Sequence, residues 1–109
     1  MMPPLTTSYN EMIGQRLNQS DGFRRALLRE AVNCLLAGDL DTGKSVLRKY
    51  INFTVGFIKL GADLGRNPKV LMRMFSPKGN PQARNLFEIV AHLQKLEGTV
   101  LEVVERKAA

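Results

Sequence analysis

In its 109 residues this chain has no tryptophan, two tyrosines, one cysteine and one histidine, and each scarcity removes a class of function. A lone thiol, Cys34, cannot close an internal disulfide, and its leucine neighbours predict a reduced, buried group in a cytoplasmic protein. The single imidazole, His92, lies far from Cys34 in sequence, so neither a metal-ligand spacing nor a short-range cysteine–histidine pair can be drawn. No catalytic residue, metal or cofactor is therefore expected, and His92 is expected at the surface or edge of a packed helix. Without a ladder of aromatic side chains there is no stacking platform for single-stranded bases, and Phe53, Phe57, Phe75 and Phe87 are expected in a helical core. No segment approaches the roughly 18 consecutive apolar residues that span a membrane. Met1 to Leu5 has no basic-then-apolar leader, so neither a membrane nor a secretory address is expected.

Acid is missing locally. From Arg66 to Arg84 the charged residues are Arg66, Lys69, Arg73, Lys78 and Arg84, with no Asp or Glu among them. Residues 41–84 hold nine bases and two acids, while the rest of the chain holds seven bases and eight acids. The formal charge of +6 is thus a local basic field rather than a uniform solvating excess. Such a field is either a surface for phosphate or a solvated face, and charge alone leaves both open.

With 44% hydrophobic residues the chain can bury one modest core, so one domain is expected. Residues 1–20, with few large apolar groups, read as a flexible N-terminal arm. Residues 21–98 read as a helical domain. Phe23, Ala26, Leu27, Ala31, Cys34 and Leu35 recur at helical spacing, Leu28, Val32 and Leu36 widen the stripe, and Gly38 is a stop signal. A second helix is predicted from about Asp41 to Ile51 with Val46, Leu47, Tyr50 and Ile51 inward, and a third from about Val55 to Asp63 with Thr54 as cap. Leu64-Gly65 ends that helix. Asn67-Pro68 starts another, because the amide caps and the proline loses no needed N–H in a first turn. A short helix from about Pro68 to Phe75 follows, so residues 55–75 form a helix–turn–helix. Asn80-Pro81 repeats the start signal for a last helix with Leu86, Ile89, Val90 and Leu93 buried, ended by Gly98. Residues 99–109 are rich in β-branched side chains and read either as a short strand or as a frayed extension of that helix or a tail. A lone strand needs a partner, and the same strand of a second subunit is the economical one. Val100, Leu101, Val103 and Val104 are then the dimer interface.

One motif points elsewhere. Gly38 to Ser45 satisfies the glycine-rich pattern of nucleotide-phosphate loops. That loop must follow a buried parallel strand, whereas the residues before Gly38 have helical periodicity, and Asp39 and Asp41 stand where polyphosphate would sit. Nucleotide binding through Gly38 to Ser45 is the remote alternative. The plainer expectation is that Gly38 ends one helix, Asp39 or Asp41 caps the next, and Lys44 is surface charge.

Leu60, Leu64-Gly65, Leu71-Met72-Arg73-Met74, Ser76-Pro77-Lys78-Gly79-Asn80-Pro81 and Asn85-Leu86-Phe87 together resemble the helix–turn–helix of the lambda-repressor-like superfamily. More narrowly they resemble addiction-module antidote proteins, the antitoxins of small bacterial toxin–antitoxin pairs. Phe23 to Tyr50 shares the likeness, so it covers about four fifths of the chain. The chain departs from the superfamily where Gly56 and Phe57 stand in place of a frequent glutamine, and where Phe75 replaces an acidic residue. The resemblance implies a mainly α, five-helix, lambda-repressor-like DNA-binding domain with one short C-terminal β-strand. It also implies a homodimer that represses its own operon by binding a double-stranded DNA operator, with a possible cognate toxin as second partner.

Carried onto these positions, the recognition helix would enter the major groove with Lys69, Met72 and Arg73 on one face and Arg66 at its margin. Arg73 or Lys69 would donate to guanine O6 and N7. Met72 would either pack on a thymine methyl or serve as one more core or rim methionine. Ser76, Lys78, Asn80, Gln82 and Arg84 would bind phosphate through side chains and the free N–H groups of a helix start. The alternatives are an interaction protein that chiefly neutralises a toxin, and a stand-alone repressor with no toxin partner.

Overall fold

The computed structural model describes residues 21–109, so the expected N-terminal arm lies outside the described residues. Among those residues there are five helices and no strand: α1 (Asp21–Leu36), α2 (Leu40–Phe53), α3 (Phe57–Leu64), α4 (Pro68–Met74) and α5 (Ala83–Glu97). The mainly α class follows from the periodicity of apolar side chains. Leu28 and Ala31 of α1, Leu47, Tyr50 and Ile51 of α2, Phe57 and Leu60 of α3, Leu71 of α4, Phe75 just beyond it, and Leu86, Ile89, Val90 and Leu93 of α5 form one buried cluster. The α1–α2 and α3–α4 pairs pack as hairpins. The Phe57 and Phe75 rings meet at 6.0 Å between centroids and tie the two ends of the helix–turn–helix together.

Several boundaries and faces differ from expectation. Thr54 does not cap α3. Its hydroxyl donates back to the Tyr50 carbonyl at 2.6 Å and finishes α2, while Gly56, at φ 79°, leads into α3. Asn80 does not cap α5, which starts at Ala83 after an extended Gln82 that makes no side-chain cap bond. On α1 the fully buried residues are Leu28 and Ala31, while Phe23, Ala26 and Cys34 are only half-buried. Phe87 is 62% exposed rather than in the core, because the inward stripe of α5 runs through 86, 89, 90 and 93 and leaves 87 on its flank.

Beyond the left-handed Gly98, residues 99–109 have no assigned strand. The Leu101 N–H donates to Gln94 Oε1 at 2.8 Å, and the Leu101 side chain packs on the core of its own chain. Val100, Val103 and Val104 are 80–85% exposed. These valines, with Leu36 and Phe87, border a cleft of about 910 Å³ between α1, α5 and the terminal segment, with Arg25 and Arg29 at its edge.

The segment from Gly38 to Ser45 takes no phosphate-loop form. Gly38 leaves α1 at φ 83°, the Asp39 carboxylate accepts from the Thr42 N–H at 3.2 Å, and residues 40–45 lie within α2. Asp39 is therefore the cap, and hydrogen bonding to Thr42 holds its carboxyl below the usual range.

Candidate nucleic-acid interface

The helix–turn–helix is built by local chemistry. Gly65 ends α3 in the left-handed region at φ 64°, and the Arg66 N–H returns to the Gly61 carbonyl at 2.8 Å. A Cβ at Gly61 would lie 2.6 Å from the Arg66 carbonyl oxygen, so the two arms of the turn approach too closely for any side chain there. Asn67 Oδ1 then accepts from the Lys69 N–H at 2.8 Å, and Pro68 fills the first turn of α4, as the sequence predicts.

On α4 the inward residue is Leu71, while Lys69, Val70, Met72 and Arg73 are exposed. Met72, at 45% exposure, is no core methionine. Lys69 and Arg73, one helical turn apart, share an outward face. Lys78, Asn80, Gln82 and Arg84 are exposed beyond it. Among the described residues, no carboxylate lies within ion-pair distance of Lys69, Arg73, Lys78 or Arg84. Val70, Arg73, Lys78 and Asn80 border a shallow recess between α4 and the following turn. The first turn of α5, at 83–85, adds N–H groups that no helical carbonyl can reach.

Two predicted contacts are engaged within the chain. The Arg66 guanidinium donates to Asn85 Oδ1 at 3.0 Å and to Glu88 Oε2 at 2.9 Å, so Arg66 is a strut between the turn and α5 rather than an open groove cation. The Ser76 hydroxyl donates to the Arg73 carbonyl at 2.7 Å, which leaves it lone pairs but no proton for a phosphate oxygen.

Lys44 corrects the sequence reading outright. It is 3% exposed, not surface charge. From α2 its ammonium donates to the carbonyls of Ser76 and Gly79, at 3.1 and 2.5 Å. The signal was spacing: Lys44 stands on the helical face of Leu47 and Ile51, both fully buried.

Two further polar clusters brace α5. Asp63 on α3 meets His92 Nε2 at 2.9 Å and Lys59 Nζ at 3.1 Å, and the His92 contact, followed by Lys59, draws the Asp63 carboxyl below its usual range. His92 is thus an edge residue with a partner. The Tyr50 hydroxyl donates to Glu97 Oε1 at 2.5 Å, and Arg24 Nε donates to the same carboxylate at 3.1 Å. Burial, reinforced by the Glu97 bond, pushes the Tyr50 hydroxyl well above its ordinary pKa. Among the described residues no three His, Cys, Asp or Glu side chains gather as a metal would need, and no helix is long and apolar enough to cross a membrane.

Family profiles, curated proteins and solved structures all return no match to this chain, so its residues alone carry the functional reading.

Proposed function

We propose that this protein is a sequence-specific double-stranded DNA-binding transcriptional regulator that lays α4 in the major groove, and that it is an antitoxin repressing its own toxin–antitoxin operon. The observation that carries this reading is the acid-free set Lys69, Arg73, Lys78 and Arg84, all exposed and without a carboxylate partner, the first two on a capped short helix, Lys78 in the turn after it and Arg84 in the first turn of α5. Arg24, Lys59 and Arg66 do pair with carboxylates, whereas these four cations lie within residues 66–84, a stretch that carries no acid. An interior-anchored helix bearing open cations is what direct readout requires.

In this account the helices form a lambda-repressor-like domain. Arg73 and Lys69 donate to guanine edges, and Met72 packs on a thymine methyl, which its exposure favours. Lys78, Asn80, Arg84 and the open N–H groups at the start of α5 hold phosphates, while Gln82 contributes its exposed amide. Two copies join through the apolar cleft and the terminal segment. Val100, Val103 and Val104 are its exposed ridge, and Val32, Leu36, Phe87 and Val90 its hollow. The terminal segment becomes a strand on pairing, because only a second chain supplies a ladder for its backbone groups. The antitoxin part rests on the resemblance of Leu60 to Phe87 and of Phe23 to Tyr50 to addiction-module antidotes.

The test is fluorescence anisotropy on the protein's own upstream DNA and on a scrambled duplex at a stated salt concentration. Tighter binding to the upstream duplex supports the reading, and equal binding on both overturns it. The exposed apolar cleft favours a second reading, an interaction protein that chiefly caps a toxin. A stable complex with the product of an adjacent small gene, without preference for the upstream duplex, selects it.

A further inference from the structure

The buried ammonium of Lys44 does no work in the DNA contacts themselves, yet among the described residues Lys44 is the one charged residue buried as a whole. Its nearest acid, Asp41, lies 3.9 Å away with a side chain 91% exposed, so the two backbone carbonyls are its main counterparts. Those carbonyls belong to the first and last residues of one turn. The Gly79 N–H donates to the Ser76 carbonyl at 2.9 Å and closes it, with Pro77 and Lys78 exposed at the apex. The same turn presses on the end of α4, since a Cβ at Gly79 would lie 2.2 Å from the Arg73 carbonyl oxygen. A single ammonium from α2 thereby grips both ends of the segment that carries Lys78 into solvent.

We infer that Lys44 is a positioning residue for DNA binding: its ammonium, held by the Ser76 and Gly79 carbonyls, fixes the turn so that Lys78 and Asn80 meet the phosphate backbone in one arrangement. This rests on the DNA reading above. A turn left to wander would still carry a cation, but its contact would be diffuse and would have to be ordered on binding. The charge of Lys78 and the geometry supplied by Lys44 are therefore coupled, although Lys44 touches no DNA.

The test is a pair of measurements on the full chain with Lys44→Met, and with Lys44→Gln as a second variant that keeps a neutral donor should the first not fold. Without DNA, amide exchange at Gly79 is expected to accelerate at least about tenfold in the variant while Leu60 and Ile89 stay protected. With upstream DNA, Lys78→Ala is expected to lower the salt slope by about one per protomer in the wild-type background and by much less in the Lys44 variant. A lysine that only stabilises the fold leaves the Lys78 increment the same in both backgrounds, and that result overturns the inference. Unchanged exchange at Gly79 also overturns it, whatever the DNA data show. Accelerated exchange in a protein whose wild type shows no salt-dependent binding overturns the DNA reading instead, and with it the positioning role.

Discussion

Replacing Gly61 by alanine sets two effects against each other, and the structure decides the sign. In the middle of a helix alanine is preferred over glycine by about 1 kcal/mol, so propensity alone predicts a more stable protein. The new Cβ, however, sits 2.6 Å from the Arg66 carbonyl oxygen, about 0.8 Å inside the 3.4 Å at which ordinary contact begins. The obstacle is backbone, so it cannot rotate away, and Pro68 Cγ stands at 3.2 Å on the other side. Opening the turn also strains the Arg66 bridge to Asn85 and Glu88. Overpacking of this kind costs about 1–3 kcal/mol and offsets the propensity gain, so Gly61→Ala should destabilise by up to about 2 kcal/mol. Urea unfolding reads this directly, with Ala62→Gly on the same helix as the pure propensity control, expected to cost about 1 kcal/mol. A Gly61→Ala protein whose midpoint rises, at unchanged slope, would refute the close approach and with it the geometry assigned to the turn.

The remaining expectations test separate parts of the account. Lys78→Ala should weaken binding about equally on all duplexes and lower the salt slope by about one per protomer; a slope that does not move removes Lys78 from the phosphate contacts. Ending the chain after Leu101 keeps the Gln94 bond and the core contact, so the shortened protein should unfold within about 0.5 kcal/mol of the full chain but sediment as a monomer and bind operator far more weakly. If it stays dimeric at micromolar concentration, the terminal valines do not make the interface, and the α1 face around Leu36 holds the two copies without them. Because the folded Tyr50 pKa is raised above its unfolded value, its stabilisation is complete below about pH 10 and is lost as pH rises further. Stability measured from pH 8 to 11 should therefore fall, and Tyr50→Phe should flatten that fall; an equally steep decline in the variant assigns the alkaline limb to other groups.

What the sequence discloses follows the range of the interaction that decides each feature. The start of α4 is a contact between Asn67 and a backbone N–H two residues on, so reading along the chain finds it. The buried stripe of α5 is likewise a matter of spacing. Phe87 misleads because its size suggests burial while its helical position denies it. The starts of α3 and α5 are misjudged for another reason: Thr54 and Asn80 have suitable side chains, but Thr54 turns back to finish α2 and Asn80 follows a turn fixed from α2 by Lys44. The Lys44 contact spans 35 residues, and no pattern along the chain predicts which carbonyls will receive a buried ammonium. Arg66 reads as an open group for the same reason, since Glu88 and Asn85 reach it only once α5 has packed, whereas Ser76 is taken up locally by the carbonyl three residues back. The β-branched run at 100–104 has strand composition, but a strand is a property of a pair, and one chain offers it no partner ladder.

The central claim is that α4 reads bases, and Arg73→Ala on matched duplexes tests it most directly. On the upstream operator the substitution should cost roughly 1–3 kcal/mol and relax preference at one base position, with a smaller loss on a scrambled duplex measured at the same salt concentration. Equal losses on operator and scrambled DNA would contradict the account, because Arg73 would then touch only the phosphate backbone.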